Sequence, residues 1–146
     1  MGNNQLHFTD KNNLLILNRE GAHQFNTQTK EYRYIENTNP KGNIVDQLFQ
    51  VIEQPKNNKN KLLISMVDQV VEFDLSTGQT TPFHALPPSD KPRTFAADAH
   101  YGEKYVWIAY SGFGVYIIDR ETGEQVKHIS SLDGLPDNSL FEFHED

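Results

Sequence analysis

The chain contains no cysteine, so it has neither a disulfide framework nor a thiolate metal site, and that absence suits cytosol and periplasm equally. Positive charge is also scarce. Thirteen Lys and Arg stand against twenty Asp and Glu, for a formal charge of -7, and the cations are scattered along the chain. A nucleic-acid surface needs them clustered, so no nucleic-acid partner is expected. Long apolar runs are missing: none approaches the ~20 residues that span a bilayer, so this segment is expected to make no membrane contact. Residues 1–5 carry no charged n-region followed by an apolar h-region, the pattern of a signal peptide. Met1-Gly2 opens like a myristoylation site, but Leu6 stands where Ser or Thr is required. Finally, no stretch sustains a 3.6-residue apolar period, so almost no helix is expected.

What the chain does have is β-branched and aromatic runs between turn residues. The clearest lie in the last third: Tyr105–Tyr110, Gly114–Asp119 and Gln125–Ile129, with a fourth run at 140–145. Ser111-Gly112, Glu121-Thr122-Gly123 and the stretch from Asp133 to Asn138 separate them. Short strands at this spacing predict an antiparallel meander.

The rest of the chain repeats this third. Phe25, Phe73 and Ile118 precede Asn26, Asp74 and Asp119 at intervals of 48 and 45 residues. The same offsets carry Thr29 onto Thr77 and Thr122, and Glu31 onto Gln79 and Glu124. Leu14-Leu15-Ile16 corresponds to Leu62-Leu63-Ile64 and to Val106-Trp107-Ile108, while Phe49, Phe95 and Phe141 recur every 46 residues. A period of about 40–50 residues with four strand runs per unit is the signature of a β-propeller blade.

The predicted strands are 5–9, 14–17, 22–26 and 31–35 in the first repeat; 47–52, 62–66, 70–74 and 80–84 in the second; and 94–99, 105–110, 114–119 and 125–129 in the third. In 31–35, Tyr32 and Tyr34 fall on one face and Arg33 on the other, as suits an outer strand. Residues 53–61 read as an exposed hairpin tip. Residues 86–92, with three prolines, run outside the sheets because proline cannot donate to a ladder. Leu15, Leu63 and Trp107 are equivalent positions and are expected in the core.

No catalytic constellation stands out. The six histidines are His7, His23, His84, His100, His128 and His144, and none pairs with another at ligand spacing on one element, so they read as exposed or edge residues and no metal is expected. Ser111 lies in Ser-Gly-Phe-Gly, which is not a nucleophile elbow. Gly112 and Gly114 read as a tight turn, since a phosphate loop needs a following helix. Asp10, Glu145 and Asp146 have no nucleophile or base set around them. No cofactor is expected. Trp107 reads as packing between sheets, while Tyr110 and Phe113, flanking a turn, read as surface contacts.

The last third resembles the two-component regulator propeller repeat. Gly134-Leu135-Pro136-Asp137-Asn138-Ser139-Leu140 matches its first element, Val106-Trp107-Ile108-Ala109 its tryptophan strand, and Gly114-Val115-Tyr116-Ile117-Ile118-Asp119 the strand that follows. Glu145-Asp146 matches its acidic strand end. The first two repeats depart from the pattern: Leu15 and Leu63 replace the tryptophan, and Gln69 stands where glycine is usual.

The resemblance implies an all-β chain, a β-propeller fragment of about three four-stranded antiparallel blades (5–35, 47–84 and 94–129) plus an extra strand at 140–145. It also implies a non-catalytic, ligand-sensing role in a bacterial two-component sensor, periplasmic and membrane-anchored, with a histidine kinase or other output domain elsewhere in the parent protein. The ligand would be a small molecule or an oligosaccharide. The alternatives are an interaction scaffold or a propeller lyase or hydrolase. Propellers close with ~4–8 blades. The chain is therefore expected to be a piece of a longer one, partnered by its remaining blades, or to self-associate. In this topology the connections between second and third strands gather at one end, with those leading to the next blade. That places the candidate ligand-binding set at Arg19, Glu20, Asp68, Gln69, Arg93, Tyr110, Ser111, Phe113, Asp137 and Asn138.

Overall fold

The computed structural model describes residues 5–18, 21–36, 50–138 and 142–144. Within them, twelve strands form three four-stranded antiparallel sheets, each paired in chain order. The first sheet comprises β1 (Gln5–Phe8), β2 (Asn13–Asn18), β3 (Gly21–Asn26) and β4 (Tyr32–Glu36). The second comprises β5 (Gln50–Glu53), β6 (Lys61–Met66), β7 (Gln69–Asp74) and β8 (Thr80–Ala85). The third comprises β9 (Ala96–Tyr101), β10 (Tyr105–Tyr110), β11 (Gly114–Asp119) and β12 (Gln125–Ile129). The only helical turn among the described residues is a 3₁₀ turn, Ser131–Asp133, closed at both ends by a Ser130–Asp133 capping box and left-handed Gly134.

The repeat in the sequence is a repeat in the backbone. Each third strand ends at a residue whose side-chain oxygen accepts from the turn that follows: Asn26 from the Gln28 and Thr29 amides, Asp74 from Ser76, Asp119 from Glu121 and Thr122. These are Asx turns, in which a short polar side chain holds the backbone it precedes. The amides of Lys30, Gly78 and Gly123 then donate to the carbonyls of Asn26, Asp74 and Asp119. All three donors have positive φ, at 65°, 73° and 71°. Gly78 is the constrained one: a Cβ there would run into the Glu36 carbonyl oxygen of the first sheet.

Alternation along the strands decides the packing, because side chains two apart share a face. Leu15, Leu17, Ala22 and Ile35 of the first sheet meet Leu62, Ile64, Met66, Val71 and Phe73 of the second. The other face of the second sheet, with Leu63 and Val70, meets Ala99, Val106, Ile108, Tyr110, Tyr116 and Ile118 of the third. The second sheet is therefore covered on both sides, which is why residues 62–66 form an unbroken buried run. Each large apolar side chain so buried contributes ~1.5–3 kcal/mol. The first sheet's other face, with Leu14, Ile16 and Phe25, is only half-buried, and among the described residues no sheet closes on another to complete a ring.

Three expectations are corrected here. Trp107 is half-buried, unlike Leu15 and Leu63; it lies on the face of β10 turned away from the second sheet, opposite Val106 and Ile108. The strand expected at 94–99 starts at Ala96 and runs to Tyr101, because Thr94 is held by hydrogen bonds to Asp68 and Ser111. For the strand expected at 140–145, Glu142, Phe143 and His144 are not in a strand; Leu140, Phe141 and Glu145 lie outside the described residues, as do 47–49 of the expected strand 47–52.

Candidate functional site

Antiparallel pairing puts the β6–β7 turn, the β10–β11 turn, the long β8–β9 connection and residues 130–138 at one end of the second and third sheets. Asp68 organises this end. It is the left-handed residue of the β6–β7 turn, with φ 57°, a conformation Asp tolerates better than most residues. Its backbone amide donates to the Thr94 carbonyl at 2.8 Å and its carbonyl accepts from the Leu86 amide at 2.8 Å. Its carboxylate accepts from Arg93 Nε at 2.8 Å and from the Thr94 amide at 2.8 Å. One residue thus pins both ends of the β8–β9 connection. Burial pushes the Asp68 carboxyl up, but the Arg93 guanidinium and the Thr94 amide outweigh it and hold it below the usual carboxylate range.

The third sheet is tied in from the other side. Thr94 Oγ1 donates to the Ser111 carbonyl at 2.9 Å. Lys91 Nζ donates to the Gly112 carbonyl at 3.1 Å and lies 4.8 Å from the centre of the Phe113 ring. The Gly112 amide donates to the Asn138 carbonyl at 2.9 Å, and Asn138 Oδ1 accepts from the Ser131 amide at 2.7 Å.

Of the candidate set, then, Asp68, Arg93, Ser111, Phe113 and Asn138 converge. Gln69 begins β7, half-buried, opposite Met66 and Ala85 in the ladder, and Asp137 is exposed beside Asn138. Arg19 and Glu20 lie outside the described residues. Tyr110 is a correction: it is fully buried, because it shares the face of Val106 and Ile108 and points into the interface of the second and third sheets.

Under Tyr110 lies a group that reading histidines as edge residues missed. His84 Nδ1 is 3.0 Å from Tyr110 Oη, and His84 Nε2 is 3.2 Å from Gln125 Oε1. The His84 ring stands 4.8 Å from Tyr116, which stacks on His128 at 4.2 Å. His128 Nε2 donates to the Phe113 carbonyl at 2.6 Å. Burial holds the His84 imidazole below its ordinary value, with His128 adding to the effect and Gln125 opposing it. The signal in the sequence is the two-residue period on β11 and β12, which aligns Tyr116 with His128.

Most polar groups at this end are committed to one another, which makes a rigid rim bearing the exposed cations Lys91 and Arg93. Among the described residues no three His, Cys, Asp or Glu side chains gather as a metal site would require, and no helix is long and apolar enough to cross a membrane.

No family profile matches the chain, and no curated protein does. Its fold is similar to two solved structures from B. thetaiotaomicron. One is the extracellular domain of BT4673, described as a hybrid two component system, with 13% identity and a TM-score of 0.60. That likeness covers 85% of this chain and 16% of the other. The second, described as the extracellular domain of a one component system BT4673, has the same identity and TM-score and covers 84% and 16%. The chain thus spans about a sixth of the length of the structures its fold resembles.

Proposed function

We propose that this chain is a run of blades from a β-propeller, and that the propeller is the non-catalytic, extracytoplasmic sensing part of a bacterial two-component signalling protein. The observation that carries this reading is the fold likeness, along most of the chain, to an extracellular domain described as part of such a system. The half-buried outer face of the first sheet supports the propeller. Leu14, Ile16 and Phe25 occupy the positions that Leu62, Ile64 and Phe73 occupy on the second sheet, where a neighbouring sheet covers them. A preceding blade would cover the first set in the same way. The rim around Asp68, Arg93 and Lys91 is the proposed ligand-facing end.

Protease accessibility of the parent protein in intact cells tests the reading. Cleavage within this segment after permeabilising only the outer membrane is expected. Protection until the inner membrane is lysed would place the segment in the cytoplasm and overturn it. An interaction scaffold is the second reading, favoured by the exposure of Leu6, Phe8, Tyr32 and Tyr34 on one face of the first sheet, at 65%, 59%, 62% and 42%.

A further inference from the structure

The other end of the molecule carries a cleft outside the rim just described. It lies between the β5–β6 hairpin and the β9–β10 turn and has a volume of about 460 Å³, within the ~300–1,000 Å³ range of small-molecule sites. Three features suit it to binding. Its apolar surface comes from Pro55, which is buried, from Phe143 and from the half-buried Tyr101 ring. Its key cation is oriented in advance: Arg120 Nη1 donates to the carbonyls of Gly102 and Glu103 at 2.8 and 3.0 Å, and its guanidinium lies 5.3 Å from the Tyr101 ring centre. That leaves Nε and Nη2 uncommitted among the described residues, and this pair is the fork that takes a carboxylate bidentately. Third, the lining is charge-balanced. Arg120 and Lys56 line it together with Glu53 and Glu103. Glu53 Oε1 accepts from the Gln54 amide, while Oε2 stands 3.9 Å from His100 Nδ1, beyond hydrogen-bonding distance.

A ligand of one sign would leave one pair of lining charges facing a like charge. A ligand carrying both signs leaves neither unmatched. We propose that this cleft binds a small zwitterion, a free amino acid with an apolar side chain: its carboxylate on the Arg120 fork, its ammonium on Glu53, and its side chain against Phe143 and Pro55. The proposal does not rest on the signalling reading, because the cleft and the Asp68 rim lie at opposite ends of the sheets and the assay needs only the isolated chain.

The test is a titration of the isotope-labelled chain, followed by amide NMR, with three probes of matched shape: leucine, 4-methylpentanoate, which lacks the amine, and 3-methylbutylamine, which lacks the carboxylate. Leucine should give saturable shifts centred on Gln54, His100, Gly102 and Glu103, with each single-charge probe binding at least tenfold more weakly. Arg120→Lys, which keeps the charge and loses the fork, should weaken leucine about tenfold. Glu53→Gln should weaken leucine about tenfold and should not weaken 4-methylpentanoate, which gains from the loss of a like charge. The unshifted β6 and β7 amides of each variant report that it is folded. Absence of saturable shifts, or 4-methylpentanoate binding as tightly as leucine, would overturn the proposal, as would shifts confined to the Asp68 rim.

Discussion

The first and second sheets are built from the same pattern and differ in what covers them. Leu14, Ile16 and Phe25 correspond in sequence and register to Leu62, Ile64 and Phe73. The first trio is half-buried; the second is almost wholly buried, with Phe73 at 2% exposure. Leu15 and Leu63, on the opposite faces, are both fully buried. Sequence pattern therefore sets which face is apolar, but the neighbouring sheet sets what that face contributes. A half-buried apolar face gives up part of the transfer free energy that its covered counterpart gains.

The largest test of that comparison is a pair of identical truncations. Phe73→Ala opens a cavity between two sheets and should cost ~3–5 kcal/mol. Phe25→Ala, on the half-buried face, should cost less, about 1–2 kcal/mol. Urea denaturation of the two variants reads the difference directly. Equal losses would show that the first sheet's outer face is covered after all, by self-association or by chain outside the described residues. Dilution separates the two, since only self-association makes the Phe25→Ala cost depend on concentration.

A smaller effect is expected where the two sheets touch through backbone. Gly78 combines a left-handed φ with close approach to the Glu36 carbonyl, so Gly78→Ala adds conformational strain to a steric clash. Together these should lower stability by about 1–3 kcal/mol. Gly123 has the same backbone conformation with open space around it, and Gly123→Ala should show the conformational part alone. If the two variants lose equal stability, the approach to Glu36 contributes nothing to joining the sheets.

Most of the strand order was legible because period-two alternation and turn residues are local properties. Residues 105–110, 114–119 and 125–129 match β10, β11 and β12 residue for residue. What was not legible depends on partners distant in sequence. Tyr110 sits next to a turn, which suggests exposure, yet the face it shares with Val106 is opposed by the second sheet. Trp107 sits in an apolar run, which suggests burial, yet its face is turned away from that sheet. The link between Asp68 and Arg93 spans 25 residues, and no local pattern announces it. Nor does any pattern announce the cleft beside Arg120, whose guanidinium is held by carbonyls of a different turn.

The interface between the second and third sheets should also respond to pH. His84 is held below 6.5 by burial, so the unfolded chain binds a proton more readily than the folded one. The stability this contributes is complete above 6.5 and declines as pH falls from there through the folded-state value. Denaturation midpoints measured from pH 7.5 downward should show the decline, and His84→Gln should flatten it. An unchanged slope in the variant would assign the dependence to another group.

The smallest effect separates the turns themselves. Lys30 occupies in the first sheet the left-handed position that Gly78 and Gly123 occupy in the other two, and it makes the same amide bond back to Asn26. A side chain in that conformation costs roughly 1–2 kcal/mol. Lys30→Gly removes that cost but enlarges the freedom of the unfolded chain, which returns about 0.5–1 kcal/mol. It also loses the exposed bond from Lys30 Nζ to the Thr27 carbonyl, whose net contribution at the surface is small. The balance is a gain of a few tenths of a kcal/mol, opposite in sign to Gly123→Ala at the equivalent position. Paired measurements of the two variants test whether the three turns are one structure repeated. A clear loss of stability in Lys30→Gly would mean that the Lys30 side chain holds the first turn in a way glycine does not hold the others. The first sheet would then differ from the second in its turn as well as in its half-buried outer face.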